Sequence, residues 1–112
     1  MTEISDDFMR AEMTKTREYS LVLLKAGARF AEEGSRAIIW EHGRRNFALR
    51  ADGLLSIVCP VPDDTDLCGV GIFSTSLEET REIMEGDSAV VAGVMTFEVH
   101  PVRSFPGDAL PS

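Results

Sequence analysis

Two histidines, His42 and His100, are the side chains of this sequence that ordinarily change charge near neutral pH. His42 lies in a stretch, Arg36 to Ala51, in which Ile39, His42, Asn46 and Leu49 recur at steps of three or four residues. A helix there sets all four on one side, so the core-facing stripe carries two polar members. A histidine so placed can take and return a proton; it can equally be half-buried and bonded to a backbone carbonyl, the commoner fate of a lone histidine. Asn46, one turn on, adds a neutral hydrogen-bonding group to the same side, which favours a polar pocket. Asp87 is the second candidate. Its plainer role is to cap the turn Ser88-Ala89-Val90, and spacing alone favours that. Trp40 and Phe47 read as packing residues, with an aromatic wall beside His42 as the alternative.

Other groupings carry less. Asp63, Asp64 and Asp66 resemble a hard-cation loop but lack the glycine and distal glutamate of a calcium site, so a solvated turn is the expectation. Cys59 and Cys68 flank the same loop with no histidine beside them, and buried packing is the default for such thiols. Two cysteines and two distant histidines give no zinc spacing, and no metal is expected. Gly69-Val70-Gly71 lacks the third glycine and the helix of a dinucleotide fingerprint. His100, in the last strand beside Pro101, reads as an edge or strand-end residue rather than a catalytic one. No Ser-His-Asp or Cys-His arrangement emerges.

The elements that must position these residues form one domain, since 112 residues leave no room for two cores. A net charge of −8, with no basic cluster tighter than Arg44-Arg45, argues against nucleic acid. No apolar run reaches the ~20 residues of a membrane span. The acidic opening, Met1 to Asp7, lacks the order of a secretory signal, so a cytoplasmic protein with free thiols is expected.

Residues 1–17 read as a polar extension, with Ser5 or Asp6 capping a short helix that carries Phe8, Met9 and Met13. Tyr19 to Leu24 is an apolar run of strand length. Ser35 is the expected N-cap of the His42 helix, and Asp52-Gly53 its end. Leu54 to Val58 and Leu67 to Thr75 read as strands paired across the loop from Pro60 to Asp66. Ser76-Leu77-Glu78-Glu79 is a capping box that opens a helix with Leu77, Thr80, Ile83 and Met84 inward, closed by Gly86. Val94 to Val102 is the last strand, and residues 103–112 form a tail.

Strand, helix, strand, strand, helix, strand is the split βαβ order, so the fold class is α+β: a ferredoxin-like βαββαβ with a four-stranded antiparallel sheet and both helices on one face. Leu21, Leu23, Val70, Ile72, Val94 and Thr96, with their neighbours, leave both sides of that sheet fairly apolar. A second copy packed sheet to sheet is the simplest cover, and a homodimer is expected.

Several spaced motifs resemble the YCII-related family. His42, Leu49, Gly53 and Pro60 match its run of histidine, leucine, glycine and proline from helix into strand. Asp87-Ser88-Ala89-Val90-Val91-Ala92-Gly93 is similar to its D-P-x-V-x-A-G turn, and Phe97-Glu98-Val99-His100-Pro101 to its closing E-V-x-P strand. Leu23 to Gly27 and Ser76 to Glu79 resemble its first strand and second-helix start. The likeness runs from Tyr19 to Val102. Ser88, Cys59 and Asn46 depart from the pattern, standing where proline, glycine and an apolar residue are usual. The resemblance implies a ferredoxin-like domain over residues 18–102 that dimerises into an α+β barrel. It also implies an active site on His42 and Asp87, and chemistry of an elimination or related acid–base kind on aromatic or quinone-like small molecules.

The leading expectation is therefore a cofactor-independent, lyase-type enzyme. His42 and Asp87 would be catalytic, with Asn46 and Trp40 lining the substrate pocket. The alternative is a non-catalytic dimer that binds a small ligand or serves another enzyme. A cofactorless oxygenase is a third reading, with nothing in the sequence that marks oxygen chemistry.

Overall fold

A computed structural model describes the whole chain, Met1–Ser112. Its elements in order are α1 (Asp6–Met13), β1 (Arg17–Ala26), α2 (Ser35–Ala51), β2 (Leu55–Pro60), β3 (Leu67–Phe73), α3 (Leu77–Glu85), α4 (Ser88–Val91) and β4 (Met95–Ser104). The four strands form one antiparallel sheet in the order β2-β3-β1-β4, which is the ferredoxin-like α+β arrangement. β1 lies at the centre, paired with β4 over its full length from Arg17 opposite Ser104 to Ala26 opposite Met95. That long ladder is why both strands run past the apolar residues that announce them. At its far end Gly27 continues the pairing, its N–H bonded to Val94 O at 2.8 Å.

Alternation along the strands divides the sheet into two faces. Val22 and Leu24 of β1, Leu55 of β2, Phe73 of β3 and Met95 of β4 point to the helices, where they meet Leu49 of α2, Met84 of α3 and Ala89 of α4 in one buried core. A β-bulge between Leu55 and Ile57 changes the register of β2 against β3. The opposite face has no helix over it. There Leu21 and Leu23 stand opposite Ile72 and Val70, all half-buried, and opposite His100 and Glu98 on the other side. Lys25 and Glu98 form an ion pair at 3.3 Å on that face.

The helix ends follow local chemistry, with one correction. Ser5 Oγ accepts from the Phe8 N–H at the start of α1, whose residues are all outside the buried core. Ser76 Oγ accepts from the Glu79 N–H at the start of α3. Ser35, by contrast, does not cap α2. The cap position is Gly34, held at φ +90°, and Ser35 is already the first helical residue and is buried. The turn bond from Ser35 N to Glu32 O brings the chain into the helix through a left-handed residue, a conformation glycine adopts without a Cβ clash. At the other end Gly53 is also left-handed, and the Leu54 N–H reaches back to Leu49 O at 3.0 Å.

Candidate functional site

α2 crosses the helix-side face of the sheet and carries His42 inward, while the turn between α3 and α4 brings Asp87 to meet it. His42 Nδ1 lies 2.7 Å from Asp87 Oδ2, although 45 residues separate them in sequence. Asp87 is wholly buried and His42 nearly so, at 7% exposure. The second carboxylate oxygen, Oδ1, accepts the Ala89 N–H at 2.9 Å, which caps α4. The capping role and the pairing role, alternatives in the sequence, are thus both filled, one oxygen to each.

The protonation of this pair follows from its geometry. Burial pushes the Asp87 carboxyl up, but the hydrogen bond and charge of His42 and the N–H groups of Ala89 and Val90 outweigh it, and the carboxyl is held below its usual range. An ionised carboxylate only accepts, so His42 Nδ1 carries a hydrogen and donates it. In the neutral ring Nε2 then bears the lone pair. Asn46 Nδ2 approaches that nitrogen at 3.2 Å from the next turn of α2.

Arg45 completes the set and is the residue that sequence reasoning missed. Its Nη1 lies 3.8 Å from Asp87 Oδ2, is buried, and has no hydrogen-bond partner. The adjacent Arg44 is exposed and pairs with Glu41 at 3.1 Å. Neighbours in a helix point about 100° apart, so the two basic residues have different fates. The available signal was the three-residue step from His42, which puts Arg45 on the same side.

Below His42 lies a cavity of about 240 Å³. Its upper wall is Ile39, His42, Gly43 and Asn46 of α2. The sheet supplies Val22, Leu24, Leu55, Phe73 and Met95, with Gly69 and Gly71 as its floor. Those two glycines pair with Leu24 and Val22, so they belong to the helix-side face, where any side chain would project into the space. Lys and Arg are absent from the lining, and the polar groups there are His42, Asn46 and the thiols Cys59 and Cys68. Both cysteines are free. Burial, with Asp66 nearby, pushes the Cys68 thiol up.

Its fold has a solved counterpart. The chain is similar to 5-chloro-2-hydroxyhydroquinone dehydrochlorinase, TftG, from Burkholderia phenoliruptrix AC1100, a structure in complex with 2,5-dihydroxybenzoquinone. The TM-score is 0.50 at 19% identity, covering 73% of this chain and 90% of the other. At that identity the likeness speaks for the fold alone. No protein-family model matches the chain. No curated protein matches it.

The remaining candidates fall elsewhere. Trp40 does not reach the cavity: it is 70% exposed and lies beside Gly43, Arg44 and Phe47 on the outer side of α2. Neither the packing read for Trp40 and Phe47 nor the alternative aromatic wall is found: both rings are exposed, and because residues two apart on a helix point about 200° apart, Trp40 faces away when His42 faces in. His100 is exposed on the uncovered sheet face. Asp63 accepts bonds from the Thr65 hydroxyl and N–H, which close the loop locally and hold its carboxyl below the usual range. No three His, Cys, Asp or Glu side chains gather in a way that would hold a metal ion. No helix is long and apolar enough to cross a membrane.

Proposed function

We propose that the protein is an enzyme that moves protons on a small organic molecule held in the cavity under α2. The observation that carries this reading is the buried His42–Asp87 pair, 2.7 Å apart, with His42 in the wall of a mostly apolar cavity. His42 Nε2 serves as the general base: it takes a proton from the substrate, the freed electron pair forms a new double bond, and a leaving group departs with its bonding pair. Asp87 orients the ring and stabilises the imidazolium until the proton is returned. Acid–base help of this kind contributes ~10²–10⁴-fold, and positioning in the cavity contributes further.

Elimination is the reaction class favoured here. The motifs shared with the YCII-related family and the likeness to a dehydrochlorinase support it, and membership of that family is part of the proposal. So is a homodimer in which the uncovered sheet faces meet, since Leu21, Leu23, Val70 and Ile72 form an apolar strip that lacks a helix. The ligand-binding alternative draws support from one observation: with Asp87 on Nδ1 and Asn46 on Nε2, both ring nitrogens are satisfied without a substrate.

A screen of halogenated hydroquinones for halide release, with His42→Ala beside the native protein, separates the two readings. Release by the native protein, reduced ~10²–10⁴-fold in the variant, is the expected result. Full activity in His42→Ala on a substrate so found would remove His42 from the mechanism. Binding of these compounds without turnover would favour the ligand-binding module.

A further inference from the structure

The first helix has an apolar side and no core to bury it in. No residue of α1 is buried, and Phe8, Met9 and Met13 are each more than half exposed. At 100° per residue these three fall within about 140° of the helix circumference, with Asp6, Asp7 and Arg10 on the other side. Glu12, which falls among them, pairs with Lys15 at 2.6 Å. An isolated helix this short is marginal in water, where helical stability comes mostly from packing an apolar face.

The domain carries a second uncovered apolar surface. On the outer side of α2, Trp40 and Phe47 are 70% and 66% exposed, and with Gly43 and Arg44 they enclose a notch of about 280 Å³. Glycine is a poor helix former, yet a Cβ on Gly43 would meet no atom of the chain. The chain's own packing does not call for a bare position there, whereas a side chain arriving from outside would use the room.

The two surfaces match in charge. Asp7 and Glu12 have partners in Arg10 and Lys15, and Arg44 has Glu41, each three residues away. No ion pair engages Glu3 and Asp6 at the start of the arm, nor Arg36 and Arg50, exposed at either end of the aromatic patch. In a chain of net charge −8, a face whose outer charges are mostly arginine is where an acidic arm finds attraction.

The arm does not reach α2 of its own chain. A helix laid on the outer side of α2 stands about 20 Å above the sheet, since each helix is about 10–12 Å thick. The chain from Met13 to Arg17, where β1 begins, spans at most about 14 Å.

We propose that α1 of one copy docks on the outer side of α2 of a second copy, with Phe8 and Met9 meeting Trp40 and Phe47 over the notch. The exchange is reciprocal, so a two-fold pair contains the contact twice. The outer side of α2 faces away from the open sheet face, so this contact is separate from the sheet-to-sheet dimer. It needs neither that dimer nor the acid–base reading.

Trp40 is the only tryptophan of the chain, so its fluorescence reports the patch directly. The test follows Trp40 emission and sedimenting mass over a dilution series of the full chain, beside Phe8→Ser/Met9→Ser and Phe47→Ser. All three substituted residues are exposed, so the fold withstands the changes. On dilution the emission of the native protein moves to longer wavelength as the mass falls by half, whether or not sheet dimers persist. Each variant raises the concentration of that midpoint about ten- to a hundredfold. An α1 variant that matches the native protein in mass and in emission overturns the proposal. So does an emission that shifts with the α1 substitutions while the mass stays the same, because the arm would then lie on its own chain.

Discussion

His42 and Asp87 meet through one oxygen of the carboxylate, while the other oxygen fastens the start of α4 to the same side chain. Orientation of the ring and of the short helix therefore depend on a single buried residue. Asp87→Ala removes the cap and leaves the His42 N–H without a partner, at a cost of about 2–4 kcal/mol. Asp87→Asn retains an acceptor oxygen but not the charge. It is expected to unfold at a denaturant concentration between those of the native protein and Asp87→Ala, as read by urea titration at constant slope.

The depressed Asp87 carboxyl also sets the sign of an acid effect. A group whose folded-state value lies below its unfolded one binds fewer protons when folded, so its stabilisation is complete above the unfolded value. It is lost as pH falls through the folded one. Unfolding free energy should therefore decline as pH falls into and below the ordinary aspartate range, and the decline should be shallower in Asp87→Asn. Equal slopes in the two proteins would place the acid sensitivity elsewhere.

Gly71 governs the room beneath His42. A Cβ there would sit 3.2 Å from Leu55 Cδ1 and 3.5 Å from Phe73 Cε2, contacts a side chain can relieve by turning. Gly71→Ala is expected to fold with a change in stability under about 1 kcal/mol, the strain offset by a stiffer unfolded chain. Gly71→Leu fills the cavity and abolishes binding of any ligand found by the screen, a result that calorimetric titration would read directly.

Gly27 tolerates no such change. An added Cβ would lie 2.6 Å from Gly93 O and 3.1 Å from Val94 C, both backbone atoms at the junction of α4 and β4. Gly27→Ala must push that junction away from β1, at about 1–3 kcal/mol. Because the same segment carries Asp87, the His42 ring resonances should move as well. Thermal melts and a proton spectrum of the variant would report the two effects separately.

Much of the fold was legible because its signals are local. Apolar runs mark the strands, Ser76 and Ser5 mark helix starts, and Gly53 marks a helix end. The polar stripe of α2 was also legible, since His42, Asn46 and Leu49 follow the period of a helix. The meeting of His42 with Asp87 is not local: it exists because the sheet order brings α2 over the α3–α4 turn, and from the residues alone it came only through resemblance. Gly34 displaced Ser35 as the cap because handedness at one residue leaves no trace in polarity. The cavity floor escaped notice for a related reason: Gly69 and Gly71 contribute by having no side chain, and an absence forms no pattern.

The backbone floor has an evolutionary consequence. The residues proposed to do chemistry stand on α2 and the α3–α4 turn, whereas the floor beneath them includes two glycines of β3. A single substitution at Gly69 or Gly71 can therefore narrow the range of accepted molecules without touching the pair above. On the proposed function, selectivity and reactivity would be inherited on separate pieces of chain, so a lineage built on this scaffold could change its substrate while its reaction stayed the same.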